Sequence, residues 1–192
     1  MSVHAKLARY LIHTPFRATS PADLQDAWRA MERCHALGLA RNIGVSNFAI
    51  PHLKTVLEVA SVRPAVCQVE LHPYCQQPGL LAFLREHDIR AVSYGPLAPI
   101  TKAAGGPVDK VCEEIAAKHG VSVEAVLLRW ILEVADGAVT TSGKKERMEK
   151  YLREVPGGLA KEEVERISEV SKGKHFRAFF AKDFEEFDKQ AE

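Results

Sequence analysis

The chain has 192 residues, 46% of them hydrophobic and 27% charged, enough for one sizeable core in an ordinary globular composition. Its formal net charge is +1 and its basic residues are scattered without interleaved aromatics, which argues against a nucleic-acid partner. No apolar run approaches the ~20 residues that cross a bilayer, and MSVHAKLAR lacks the apolar core of a secretory signal, so the expectation is a cytoplasmic protein with no membrane partner.

The elements alternate along the chain. A short strand is predicted over 8–13, ending in YLIHTP, where Pro15 offers no N–H to extend a ladder and His13 falls at the strand-to-loop junction. A helix follows over 23–39, which Ser20 or Asp23 can cap, with Pro21 suited to its first turn and Gly38 to its end. Then come a strand over 42–46, a helix over 51–60, a strand over 65–71 and a helix over 79–87. A strand over 90–94 leads into the Gly/Pro-rich loop GPLAPITKAAGGP. Helices over 108–119 and 123–134, a strand over 137–141 and a helix over 145–155 complete five strand–helix units. Such alternation argues for right-handed crossovers and a parallel sheet. Beyond it lie a surface helix over 161–170 and the tail HFRAFFAKDFEEFD, readable as a partner-binding segment, a lid or a fraying terminus. Its phenylalanines are costly to leave in water, so the tail is expected to pack on something.

In parallel α/β folds, binding groups collect at the carboxyl ends of the strands. Here those ends carry His13, then Ser46 and Asn47, Gln68 with Glu70, Ser93 with Tyr94, and Thr141 with Ser142. A polar residue at one strand end is usually a turn former or cap; the same chemistry at all five is harder to assign to turns. Gln68 stands out, because a strand buried on both faces must find partners for a mid-strand amide, either a polar ligand or a core network. The four cysteines Cys34, Cys67, Cys75 and Cys112 form no C-x-x-C pair, which fits reduced thiols. The histidines outside the strand ends show no metal-ligand spacing with acidic or thiol partners, so no metal is expected.

YLIHTP, IGVSNF, QVELHPY, VSYGPL and TTSGKKERMEKYL together resemble, in order and spacing, the aldo-keto reductases, NADPH-dependent enzymes on a (β/α)8 barrel; the Thr-Thr-Ser looks most like the ketoreductase branch. The resemblance implies an α/β fold, a partial (β/α)8 barrel whose roughly five units correspond to the later strands of the eight, plus a C-terminal helix and tail. It covers the chain from about Tyr10 onward, read as one N-terminally truncated domain over 1–192. By that resemblance His13 binds and orients a small carbonyl substrate. Ser46, Asn47 and Gln68 hydrogen-bond the nicotinamide carboxamide of NADPH, and Tyr94 stacks on its ring. Gly95, Pro96 and Leu97 pass the pyrophosphate, while Thr141, Ser142, Gly143, Arg147 and Tyr151 cradle the 2′-phosphate and adenine. The charges of Lys144, Lys145 and Arg147 at a helix start suit an anion independently of any resemblance, although Lys145 reads as solvated. Many relatives carry lysine where Thr141 stands, a departure that weakens the grip on the 2′-phosphate.

About three β/α units of a full barrel have no counterpart. With them go the family's tyrosine proton donor, its lysine partner and the aspartate beside it. No replacement is evident: Tyr10 and His13 fall on opposite faces of one strand, Tyr94 is committed to the cofactor, Tyr151 lies in a helix, and Tyr74 has no lysine or aspartate evidently beside it. Five parallel strands also leave an open sheet edge through which the chain could associate. Two readings follow: an NADPH-dependent reductase of a small aldehyde or ketone whose activity in this form is in doubt, or a non-catalytic nucleotide- or partner-binding remnant.

Overall fold

The computed structural model describes residues 7–155 and 157–189. The expectations for His4 and the MSVHAK segment lie outside the described residues. Five strands run in the order β1-β2-β3-β4-β5, each adjacent pair following the chain, which is the topology of successive β/α units. The strands are β1 (Leu7–Ile12), β2 (Ala40–Ser46), β3 (Val66–Glu70), β4 (Arg90–Tyr94) and β5 (Gly137–Val139). The fold is therefore α/β, a partial (β/α)8 barrel. Its contacts divide it into two compact units, one formed mainly by the residues up to Val69 with Pro78–Ala91, the other by Glu70–Gln77 with Val92–Asp188.

In the first unit, β1 and β2 pair in parallel with Tyr10 opposite Ile43 and Ile12 opposite Val45, and β2 meets β3 with Ser46 opposite Gln68. Helix α1 (Pro21–Ala36) starts two residues earlier than the pattern suggests. Ser20 is the cap: its side chain accepts the Asp23 N–H, and the Asp23 carboxylate accepts the Thr19 and Ser20 N–H groups, closing a capping box. Trp28 on α1 is fully buried and donates its indole N–H to the Val62 carbonyl at 3.1 Å. Helices α2 (Ile50–Leu57) and α3 (Pro78–Glu86) bury Leu53, Val56 and Leu84 in the same core. Gly44 is where β2 and β3 come closest: a Cβ there would sit 2.5 Å from the Val66 carbonyl oxygen, so only glycine permits the pairing. At the end of the sheet, β1 keeps Leu7 and Tyr10 about half exposed, as expected of an open edge.

The second unit contains β4 and β5, paired with Tyr94 opposite Val139. The Gly/Pro-rich loop, expected to be irregular, contains a one-turn helix α4 (Ala98–Thr101). Helices α5 (Val108–His119), α6 (Val123–Val134), α7 (Lys145–Glu154) and α8 (Lys161–Ser171) follow the expected positions closely. Strand β5 stops two residues short of Thr141, and residues 140–144 form no strand ladder among the described residues. Trp130 anchors α6, donating its indole N–H to Ser168 Oγ on α8 at 3.0 Å. The buried Glu163 links three helices: its carboxylate accepts from Lys118 at 2.7 Å, from His119 at 2.9 Å and from the Ala160 N–H at 3.0 Å, while Arg129 donates to His119 Nδ1.

The phenylalanine-rich tail is neither frayed nor free. It ends in helix α9 (Ala181–Lys189), buries Phe184, and is tied by Arg177, which bonds Asp188 twice at 2.7 and 2.6 Å and stacks over Phe184.

Two outcomes follow. Gly44→Ala forces backbone apart at β2–β3 and is expected to lower stability by about 1–3 kcal/mol, the usual range for overpacking; denaturant unfolding measures it. Burial raises the Glu163 carboxyl, but the Lys118, Ala160 and His119 donors outweigh burial and hold it at about 2. Its contribution is therefore complete above the ordinary carboxylate value and lost as pH falls toward about 2. Glu163→Gln is expected to flatten that acid limb in unfolding curves taken across the window.

Candidate functional site

The strand-end residues of the first unit form a connected set. Asn47, just past β2, adopts φ 61°, a conformation asparagine tolerates better than most residues. Its Nδ2 donates to the His13 carbonyl at 2.9 Å and to Ser46 Oγ at 3.2 Å, and its N–H donates to the Gln68 carbonyl at 2.9 Å. Ser46 Oγ also donates to the Gln68 carbonyl, at 2.7 Å. Ser46 and Asn47 are buried, and their donors hold the strand ends in register. The His13 side chain is exposed. Gln68 is half-buried, and its side-chain amide makes no hydrogen bond among the described residues. A core network among the described residues does not account for that amide.

The second unit holds a cleft of about 500 Å³. Tyr94 at the end of β4, Gly95 and Leu97 in the following turn, and Thr141, Arg147 and Tyr151 after β5 all line it. Sequence separation gives no hint that 94–97 and 141–151 face one space; the β4–β5 pairing puts them there. Ser142 and Gly143 do not reach the cleft: Ser142 Oγ accepts the Lys144 N–H at 3.1 Å and shapes the turn into α7. Lys145 pairs with Glu149 on the solvent face of α7 at 3.6 Å, as its solvated reading expects. Arg147 lines the cleft, and its guanidinium makes no ion pair or hydrogen bond among the described residues. An exposed guanidinium beside threonine hydroxyls at a helix start is a competent anion site. Burial pushes the Tyr151 phenol up, as does Glu124, against the opposing effect of Arg147. Burial also pushes the Tyr94 phenol up, with the nearby Glu70 charge adding to it.

Among the roles open to the Phe-rich tail, a lid would bring it to a pocket, but nothing in the sequence singled out Phe179 for this cleft. The tail brings it there, its ring 5.6 Å from that of Tyr94 in an edge-to-face arrangement at 72°. Lys102 sits 5.2 Å from the same ring. Gly95, at φ 66°, leaves the space Phe179 needs, since a Cβ there would meet the ring at 3.3 Å. Glu70, grouped with Gln68 among the strand-end residues, is fully buried and accepts from His72 Nε2 at 3.0 Å and from the N–H groups of Ala178 and Phe179 at 2.6 and 2.9 Å. Burial pulls the His72 imidazole down despite Glu70, so the ring is neutral with its proton on Nε2. Its Nδ1 has no hydrogen-bond partner among the described residues.

Tyr74 is corrected in one respect. A lysine does stand beside it: Lys174 Nζ lies 4.7 Å from the ring centroid, brought from the far end of the second unit. The pair is still structural. Tyr74 is buried, its hydroxyl accepts the Val108 N–H at 3.2 Å, Lys174 donates to the Ala103 carbonyl, and burial pushes the phenol up. Burial likewise pushes the thiols of Cys67, Cys75 and Cys112 up to about 12, which removes them as nucleophiles. No cluster of metal-ligating side chains occurs among the described residues, and no helix among them is long and apolar enough to cross a membrane.

A parallel sheet whose polar side chains gather at the carboxyl ends of its strands is the frame of a (β/α)8-barrel enzyme, here in part. The model of the aldo/keto reductase family matches residues 4–172, and the chain belongs to that family. It is 37% identical over 169 residues to an NADPH-dependent alpha-keto amide reductase of Saccharomyces cerevisiae, covering 84% of this chain and 54% of the yeast protein. With an aldo/keto reductase of Synechocystis it shares 38% identity over 82% of this chain and 50% of the other. Among solved structures, Gox0644 in its apoform superposes with a TM-score of 0.77 at 30% identity, over 89% of this chain and 62% of that one. An aldo-keto reductase from a deep-sea metagenome library superposes at 0.80 with 27% identity, over 91% and 63%. The chain thus spans about half the length of the curated relatives it matches.

Because the Tyr74 hydroxyl serves the Val108 N–H, Tyr74→Phe is expected to cost about 1–3 kcal/mol by leaving that donor buried and unpaired. Thermal unfolding reads the loss, and ligand binding in the cleft stays unchanged.

Proposed function

We propose that this chain is the coenzyme-binding portion of an NADPH-dependent reductase that converts a small aldehyde or ketone to the alcohol, working in the cytoplasm. The observation that carries the reading is the cleft in which the Tyr94 ring, the Gly95–Leu97 turn and the uncompensated Arg147 charge lie together with Thr141 and Tyr151. Those groups match what a dinucleotide phosphate presents: a flat ring for Tyr94, a pyrophosphate for the turn, and an adenosine 2′-phosphate for Arg147 and Thr141. Gln68 offers a free amide, the complement of a carboxamide, with Ser46 and Asn47 fixing the strand ends beside it. Ser142 and Gly143 support this grip from the turn before α7 rather than by contact. His13, exposed at the end of β1, orients the substrate carbonyl. The bound coenzyme supplies hydride; these residues bind, orient and shield it.

Reduction also needs a proton for the alkoxide that forms. Tyr74, Tyr94 and Tyr151 are all pushed up, the wrong direction for donation near neutral pH. That observation favours a second reading, in which this form binds nucleotide without turnover. The half-exposed Leu7 and Tyr10 on β1 add a surface for association through the sheet edge.

Arg147→Ala is expected to weaken NADPH binding about tenfold or more, the worth of a charge-assisted phosphate contact, while leaving NADH unchanged. Equilibrium titration with both nucleotides checks it, and equal losses for the two would remove the 2′-phosphate assignment. Ketone-dependent loss of nicotinamide absorbance is expected to be undetectable with this chain; robust turnover would overturn the second reading and demand a proton donor within these residues.

A further inference from the structure

The tail of the second unit is held by one unusual acceptor. Glu70 is completely buried, yet its two carboxylate oxygens are filled by main-chain donors from the tail, Ala178 N–H on Oε1 and Phe179 N–H on Oε2, with His72 Nε2 sharing Oε1. Hydrogen bonds to a buried carboxylate are strong and directional, so they fix the backbone that receives them. The residue so fixed is Phe179, whose side chain lines the cleft and packs edge-to-face on Tyr94. The next residue, Phe180, takes φ 53°, an unfavourable conformation for a phenylalanine that the surrounding bonds must hold. Just beyond, α9 begins, and the Arg177–Asp188 pair pins the far side of the same loop.

We propose that Glu70 is a positioning residue: a buried latch that seats Phe179 against Tyr94 and so builds the wall of the cleft on which the coenzyme ring rests. This deepens the reading of that cleft as a nucleotide site and rests on it for its ligand, but not for its mechanics. Phe179 restricts the Tyr94 ring through the aromatic contact, so the stacking surface is ordered before any ligand arrives. Lys102 Nζ lies over the Phe179 ring, 5.2 Å from its centroid. The arrangement makes a loop residue as fixed as a strand residue, by way of a side chain more than a hundred positions earlier in the chain.

Two readouts test it with the whole chain. In amide hydrogen exchange, Ala178 and Phe179 are expected to be protected in the parent protein and to exchange about tenfold faster or more in E70Q, with α5, α6 and α8 unchanged. A merely structural glutamate would loosen those helices as well. In NADPH titrations, F179A and E70Q are each expected to weaken binding about threefold to tenfold, the worth of an aromatic contact, and the double variant to match F179A alone. Unprotected Ala178 and Phe179 amides in the parent chain overturn the latch whatever the variants do. An E70Q loss that persists in full in the F179A background, or affinity unchanged in F179A, overturns the wall. Failure of the parent chain to bind NADPH removes the nucleotide reading, and the exchange measurement then decides the latch by itself.

Discussion

A carboxylate with no access to water must have its charge met by donors at close range, and Glu70 is where this molecule satisfies that demand. The group stands at the end of β3, fully buried in the second unit, where an unpaired charge would cost several kcal/mol. Three donors meet it, two of them from a segment more than a hundred residues away. The consequence reaches beyond local satisfaction. With the main chain of the tail bonded to Glu70, Arg177 pairs with Asp188 and Phe184 lies under the guanidinium. His72 completes the arrangement as a neutral donor, kept so by its own burial.

The contrast between committed and uncommitted polar groups divides structure from function in this chain. Ser46, Asn47, Ser93 and Tyr74 all sit at strand ends or just beyond, and each is engaged with main-chain atoms: the first three donate to carbonyls and the Tyr74 hydroxyl accepts the Val108 N–H. Gln68 and Arg147 do not, and their unspent capacity is what a ligand could use. Polar residues at the carboxyl end of a parallel sheet therefore serve two ends, and only the hydrogen-bond inventory separates them. Lys118, His119 and Arg129 show the same distinction away from the site, for their donors are taken up by Glu163, the His119 ring and the α7 terminus.

Parallel strands are stable when covered on both faces and paired on both sides. The middle of the sheet meets that condition: Val45, Cys67 and Val69 are almost wholly buried. Its first strand does not, since β1 pairs only with β2 among the described residues and exposes Leu7 and Tyr10. Val139 on β5, at the other end of the strand order, is similarly exposed. More than a third of each of two solved relatives lies outside the part that this chain matches.

Much of this was legible in the order of residues alone. The alternation of apolar strands and amphipathic helices dictated a parallel α/β sheet, because period and turn chemistry are local properties. The cap at Ser20, the stop at Pro15 and the identity of the residues at the strand ends are equally local. The family resemblance lay in short motifs, each contained within a few residues. What the order of residues could not supply was anything that depends on two distant segments meeting. The place of the Phe-rich tail depends on its bonds to Glu70, Lys174 was invisible as the neighbour of Tyr74, and α4 and the early end of β5 depended on packing and strand pairing. Sequence fixes which chemistry each residue carries. Tertiary structure alone decides which of those chemistries are already spent on one another, because a hydrogen bond or an aromatic contact is set by distance in space and not by separation along the chain.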